Sequence, residues 1–243
     1  MIIGISGKIG SGKDTIGEII QGLSITNGGR EFEIKKFAGK LKTTASLLTG
    51  IPVEKFEDQE FKKTLLGSEW GTVRPNPLNA VPVFEDVQFN ELMSVRELLQ
   101  RLGTEAMRDG LHTNVWVNAL FADYTPTNDC QQHADGLFYT DEHGENEVIP
   151  EYPNWIITDM RFPNEMEAIV KRGGLTIKVI REKLPIKHSK TGKTHLLSRE
   201  AFTEHPSETA LDDAEFDYEI INDGSIEDLI AKVRQILIIE KLI

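Results

Sequence analysis

The stretch MIIGISGKIGSGKDT, residues 1–15, sets an apolar run directly against a glycine-rich one that ends in lysine and an acid. MIIGIS has the length and β-branched content of a buried strand. GKIGSGKD fits G-x-x-x-x-G-K-[ST] at every position but the last, where Asp14 stands in place of Ser or Thr. Beyond it Ile16, Ile19, Ile20 and Leu23 fall at i, i+3, i+4 and i+7, so the loop feeds an amphipathic helix. Strand, glycine loop and helix in that order are the setting in which backbone N–H groups and a helix N-terminus cradle phosphate. Gly7, Gly10 and Gly12 let the backbone turn its N–H groups inward, and Lys13 is placed to span the β and γ phosphates of a nucleotide. The plain alternative is a glycine-rich strand-to-helix turn with no ligand.

Asp14 changes the electrostatics of such a loop. A carboxylate beside ATP is costly unless a cation lies between them, and a hard divalent ion accepts carboxylate while keeping several waters. Asp14 is therefore expected to hold Mg²⁺ through a coordinated water, with Thr15, one position late, offering a hydroxyl.

Four further runs have strand character: EFEIKKF (31–37), NWIIT (154–158), LTIKVI (175–180) and FDYEII (216–221). Helical segments alternate with them, which predicts an α/β fold of three layers, a mostly parallel five-stranded sheet covered by helices. Ser94 and Glu97 form a capping box ahead of VRELLQRLGTEAMRD, Ser225 and Asp228 open an amphipathic C-terminal helix, and Gly173 and Gly174 end a short helix that begins near Asn164. Residues 71–90, with three prolines, read as a loop, and residues 125–153 are polar and turn-rich, with a short hairpin at GLFYTDEHGENEVI. Both read as insertions, so that residues 1–243 form a single domain carrying an insertion over about 40–153.

Composition narrows the function classes. Aliphatic and aromatic residues make up 39% and charged residues 27% of the 243, ordinary for a folded chain. A formal net charge of −12 argues against a broad nucleic-acid surface. No apolar stretch approaches the roughly 20 residues of a membrane helix, and no basic region precedes the first apolar run, so neither a membrane partner nor a targeting segment is expected. One cysteine, Cys130, rules out an internal disulfide and agrees with a cytosolic setting. Against the acidic whole, residues 181–199 carry six Lys or Arg and a single Glu, a basic segment suited either to solvent or to closing over a polyphosphate as a lid.

A second acid lies where a strand ends. In NWIITDMRFPNE, Asp159 follows the apolar run at the carboxyl edge, where α/β sheets bind ligands, and Arg161 comes two residues later. The alternative is that Asp159 caps a turn and pairs with Arg161 on the surface. Glu165, in the first turn of the next helix, either favours the helix dipole or orients Arg161. Phosphoryl transfer asks the protein for alignment and charge neutralisation by Lys, Arg and Mg²⁺, and Lys13, Asp159 and Arg161 match those needs.

With G-K-D-T in the loop, LLQRLGTEAMRDG at 98–110, TDMRFPNE at 158–165 and HPSETALDD at 205–213 followed by INDGS, the chain resembles the deoxynucleoside monophosphate kinases of tailed bacteriophages. The ordered match spans nearly the whole chain. It implies a P-loop kinase fold with an acceptor-binding region and a lid over about 181–200, and ATP-dependent phosphorylation of a deoxynucleoside monophosphate in the host cytoplasm. The resemblance assigns Ser11, Lys13, Asp14 and Thr15 to the ATP phosphates and magnesium, and Asp159, Arg161 and Glu165 to the reacting phosphates. Arg96, Gln100, Gly103, Thr104 and Trp116 fall in or near the acceptor site, and His205, Ser207 and Glu208 join the site on resemblance alone. Helical spacing supports part of this, since Arg96 and Gln100 are i, i+4. Trp116 is either core or a base-stacking wall. A Gln amide can present oxygen or N–H₂, so acceptance of several bases is expected, with Arg96 holding phosphate.

Two other readings differ in the sequence features they need. A GTP-dependent switch would require an N-K-x-D string, which is absent, and a D-x-x-G switch, whose glycine Asp159-Met-Arg-Phe lacks. A small-molecule kinase with a phosphorylated non-nucleotide acceptor, such as phosphomevalonate, would use the same phosphate chemistry and differ only in its acceptor pocket. The sequence leaves the oligomeric state open, a homodimer included.

Overall fold

Five short runs become one sheet whose three central strands are buried along nearly their whole length and whose two outer strands are buried only in part. A computed structural model of the chain describes residues 1–73, 89–132, 139–141, 143–144, 146–181 and 209–243. Its strands β1 (Ile2–Gly7), β2 (Phe32–Lys35), β7 (Asn154–Met160), β8 (Leu175–Ile180) and β9 (Tyr218–Ile221) pair in the order β2-β7-β1-β8-β9, all in parallel. These are the five runs read from the sequence. Ile3 of β1 sits opposite Ile156 of β7 on one side and Leu175 of β8 on the other.

Helices cover the two faces separately. On one, α1 (Lys13–Thr26) and α6 (Ile226–Ile239) bring Ile16, Ile20, Leu229 and Val233 against Ile3, Ile5, Ile156 and Ile177. On the other, α5 (Pro163–Val170) packs Ala168 and Ile169 with Ile2, Trp155, Ile157 and Met160, joined by Val117, Leu120 and Phe121 of α4 (Val115–Phe121). The three layers follow from the alternation of strands and helices. Because α1 leaves β1 on one face and α5 leaves β7 on the other, the order reverses between these neighbours, and a crevice opens at their carboxyl ends. Gly7 ends β1 there, and Asp159 is the penultimate residue of β7.

The chain divides by its internal contacts into two units, residues 1–37 with 117–243, which hold the sheet, and residues 38–116. The second has its own core of Ala45, Phe56, Leu66, Val95 and Leu98. It contains most of α2 (Phe37–Thr49), three short 3₁₀ turns, a paired β3 (Thr72–Val73) and β4 (Phe89–Glu91), and α3 (Val95–Gln100). The expected capping box holds in part: the Ser94 hydroxyl accepts the Glu97 N–H at 3.2 Å. Beyond Gln100 the helix differs from the α-type expected, widening into a π-helix over Arg101–Asp109. Inside it the Gly103 carbonyl accepts the Trp116 indole N–H at 2.8 Å, a tertiary partner that helical period does not encode. Residues 40–153, read as one insertion, fall partly in each unit.

The hairpin expected near residue 140 forms, with Asp141 N–H on Asn146 O and Val148 N–H on Tyr139 O; its first arm, β6 (Tyr139–Thr140), also pairs with β5 (Gln131–Gln132). Ser225 and Asp228 make the full reciprocal cap of α6. No helix among the described residues is long and apolar enough to cross a membrane.

Gly17 decides how closely α1 can sit on β7. A Cβ there would lie 2.7 Å from the Thr158 methyl, whereas one at Gly22, on the same helix, would meet nothing within 4 Å. Gly17→Ala should therefore destabilise the protein by about 1–3 kcal/mol despite the better helix former, because an over-packed contact outweighs propensity. Gly22→Ala should stabilise it by up to about 1 kcal/mol. Urea denaturation of the two variants checks the pair of signs.

Candidate active site

The glycine loop is shaped by contacts that leave no room for side chains. Gly7 has φ 154°, and a Cβ on it would run into the Val179 carbonyl and lie 2.7 Å from Ser11 Oγ. Gly12 caps α1 at φ 102°, in the left-handed region that favours glycine, and its Cβ would lie 2.6 Å from Asn222 Nδ2. Asn222, in the INDGS stretch after β9, donates from Nδ2 to Ser11 O at 2.8 Å and from its main chain to Ile180 O at 2.7 Å, tying the loop to the sheet edge. Ser11 is 3% exposed, and its hydroxyl has no hydrogen-bond partner among the described residues. A buried hydroxyl within a glycine loop is the kind of group a phosphate oxygen satisfies.

Lys13 folds across its own loop, with Nζ donating to Gly7 O at 2.6 Å and Lys8 O at 2.9 Å. Asp14, beside it, accepts the Thr158 hydroxyl at 2.6 Å and the Lys36 ammonium at 2.9 Å, both on Oδ1. Burial alone pushes the Asp14 carboxyl up, but the hydrogen bonds from Thr158 and Lys36, with the charges of Lys36 and Lys13, hold it below the usual carboxylate range. Asp14 is therefore ionised at neutral pH. Asp159 accepts the Phe37 N–H at 2.8 Å on Oδ1. The two carboxylates thus face the same dipeptide, Lys36-Phe37, at the end of β2.

Glu165 is 4% exposed, and its Oε2 accepts the N–H groups of Arg161 at 2.7 Å and Phe162 at 3.0 Å. The same two bonds cap the first turn of α5 and hold the backbone that carries Arg161, so the geometry accommodates both roles considered for Glu165. Arg161 lines a cleft of about 240 Å³ with Ser6, Lys8, Lys178, Arg181 and Asp212, at the carboxyl ends of β1 and β8. Lys8 pairs with Asp212 at 3.8 Å, and Lys178 donates to Asp212 O at 2.8 Å.

Asp14, Thr15 and Asp159 offer hard oxygen donors, the kind magnesium takes. Among the described residues no three His, Cys, Asp or Glu gather to hold a metal ion. The donor set fits a cation bound by one or two carboxylates and completed by phosphate and water rather than by protein alone.

In the second unit Arg96 and Gln100 lie exposed one turn apart on α3, and Arg96 Nη2 donates to Gln59 Oε1 at 3.1 Å. Thr104 is half-buried. The close approach Gly103 permits is to Leu41, whose Cδ2 would lie 2.9 Å from a Cβ. Trp116 is 8% exposed, with its indole N–H on Gly103 O. His205, Ser207 and Glu208 lie outside the described residues, as do Lys183, Lys187 and all of the expected lid except Arg181. Sequence reading did not single out Lys36, Thr158, Asn222 or Lys178. Their only signal was position: Lys36, Thr158 and Asn222 at the carboxyl end of a strand-like run, and Lys178 as the one charged residue within LTIKVI.

A family model described as deoxynucleotide monophosphate kinase matches residues 80–233. The deoxynucleotide monophosphate kinase of Escherichia phage RB69 is 29% identical over 148 residues, covering 61% of this chain and 46% of the relative. That of Enterobacteria phage T4 is 28% identical over 180 residues, covering 67% of this chain and 60% of the relative. The chain thus spans about half of the length of the relatives it matches. The family match begins after the glycine loop, so the loop at 7–15 is an observation separate from it.

Glu165 offers a test of the site's scaffold. Glu165→Ala leaves the N–H groups of Arg161 and Phe162 without their acceptor and should cost about 1–3 kcal/mol. Glu165→Gln keeps an oxygen in place and should cost less. Urea midpoints compared at a constant m-value separate the two.

Proposed function

Because this chain belongs to the deoxynucleotide monophosphate kinase family, we propose that it transfers the γ-phosphoryl group of ATP to deoxynucleoside 5′-monophosphates in the host cytoplasm, with Mg²⁺ as cofactor. The observation that carries this reading is the glycine loop itself, which lies outside the family match, with Lys13 folded across it and Asp14 held by Lys36 and Thr158 beside the end of β7, where Asp159 accepts the Phe37 N–H.

Each residue has a part suited to its placement. The N–H groups of residues 7–15 and the Ser11 hydroxyl hold the ATP phosphates. Lys13, which now satisfies itself on loop carbonyls, exchanges them for the β and γ phosphate oxygens. Arg161, on a backbone fixed by Glu165, neutralises charge on the transferred group or the acceptor phosphate. Asp14 and Asp159, with Thr15, would hold magnesium, which would supply positive charge against that of the phosphates. In the balanced reaction the acceptor phosphate oxygen gains the γ-phosphoryl group and ADP leaves. Basic residues 181–200 serve as a lid.

We assign acceptor binding to Arg96, Gln100, Gly103, Thr104 and Trp116, with His205, Ser207 and Glu208. Arg96 takes the phosphate, and the Gln100 amide, free to turn either its oxygen or its nitrogen outward, accommodates more than one base. The exposure of Arg96 and Gln100 on one face of α3 supports this assignment.

Lys13→Met should lower kcat by about 10²–10³-fold in a folded protein, as expected when one preorganised charge is removed from the transition state. Near-normal turnover would exclude this loop as the ATP site. A coupled ADP-release assay over a panel of deoxynucleoside and ribonucleoside monophosphates tests the acceptor, and more than one deoxynucleotide should react. Gln100→Leu should then reduce kcat/KM for every accepted base by about 1–3 kcal/mol. Phosphorylation of a single base, or an effect of Gln100→Leu confined to one, would defeat the flexible-amide account.

A further inference from the structure

The dipeptide Lys36-Phe37 touches both carboxylates of the candidate site. Its lysine ammonium lies 2.9 Å from Asp14 Oδ1, and its phenylalanine N–H donates to Asp159 Oδ1 at 2.8 Å. Lys36 extends from the end of β2, the strand beside β7, so it reaches the loop from a separate element. Thr158 holds the same Asp14 oxygen at 2.6 Å, and both polar contacts of that carboxylate among the described residues fall on Oδ1. Oδ2 is thus the oxygen left for a further ligand.

We propose that Lys36 is a positioning residue that serves as a built-in counter-cation for Asp14. The inference rests on the reading of the glycine loop as the ATP site. An ionised carboxylate at the first turn of α1 repels a polyphosphate entering the loop, and the repulsion is strongest when no metal accompanies the nucleotide. Lys36 cancels the Asp14 charge before any metal arrives and, with Thr158, fixes the rotamer so that Oδ2 is presented to the hydrated cation that comes with ATP. A lysine suits this part better than an arginine because its ammonium is a compact point charge that can rest on Oδ1 alone, whereas a guanidinium fork favours engaging both oxygens. Once magnesium shares the Asp14 charge, Lys36 contributes less.

This makes a specific statement about two affinities. Isothermal titration calorimetry should be run with ATP in EDTA and with ATP in excess Mg²⁺ on the full chain. For Lys36→Met, the Kd of metal-free ATP should rise by about tenfold or more relative to wild type, while that of MgATP changes by less than about threefold. Adding Asp14→Asn to Lys36→Met should return the metal-free Kd to within about threefold of wild type, because the charge that needed cancelling is gone. Lys36→Arg keeps the charge and should stay near wild type in metal-free ATP, which guards against a folding defect in the methionine variant.

Equal losses for both forms of ATP would mean that Lys36 binds phosphate directly. Failure of Asp14→Asn to rescue would carry the same meaning, and either result overturns the proposal while leaving the ATP site standing. Absence of ATP binding by the wild-type protein in both conditions would overturn the reading of the loop, and this proposal with it.

Discussion

The contact between Gly17 and Thr158 fixes most of what lies at the sheet edge. With no side chain on Gly17, α1 settles against the β7 methyl, and Ile156 and Ile34 would stand at 3.5 and 3.7 Å from any Cβ placed there. At that distance the first turn of α1 lies beside the end of β7, and the Thr158 hydroxyl reaches Asp14. A helix displaced by the width of a methyl group would lose that hydrogen bond and, with it, the placement of Asp14 relative to Lys36. Packing in the hydrophobic layer thus sets a polar geometry two residues from the loop. Close-packed interiors transmit such strain rather than absorb it.

Charge at this edge is sorted by strand. Toward β7 and β2 lie Asp14 and Asp159, with Lys36 between the elements. Toward β8 lie Lys8, Lys178 and Arg181, and Arg161 reaches over from the end of β7 to join them. In a chain of net charge −12 these cations form a local exception, and a cleft lined by one sign of charge concentrates ligands of the other. Asp212 tempers that field: Lys8 is paired with its carboxylate and Lys178 bonded to its carbonyl. The cleft is therefore held in shape by its own hydrogen bonds.

Much of this was legible in the sequence because its determinants are local. Central parallel strands buried on both faces read as near-continuous apolar runs, which placed β1, β7 and β8, while the half-buried β2 and β9 were placed by their strand length and bulky or β-branched residues. Caps such as Ser225 with Asp228 act over three residues, and the glycine loop announces itself within nine. The missing parts depend on distant pairs. Thr158 meets Asp14 across 144 positions, Phe37 meets Asp159 across 122, and Asn222 meets Ser11 across 211. No local pattern distinguishes Lys36 from its neighbour Lys35, which turns to Glu33 and lies over the Trp155 ring. The widening of the helix at Arg101 escaped for the same reason, since the indole that bonds Gly103 belongs to another segment.

Asp14 is where the loop departs from its motif, and the neighbouring residues explain how the departure is tolerated. A serine or threonine hydroxyl is neutral and can wait for its metal without electrostatic cost. A carboxylate in the same position carries a charge whether or not a cation is present, and although the Asp14 side chain is largely exposed, the desolvation it does undergo adds to the cost of keeping that charge. The fold answers with one neutral donor and one cation on the same oxygen, and the balance leaves the acid ionised. Thr158 alone would supply direction without charge, and Lys36 alone would supply charge on a long, flexible stem. Together they give the carboxylate both a fixed rotamer and a compensating charge. The substitution in the loop therefore has to be read together with the residues that end β2 and β7, as parts of a single electrostatic unit.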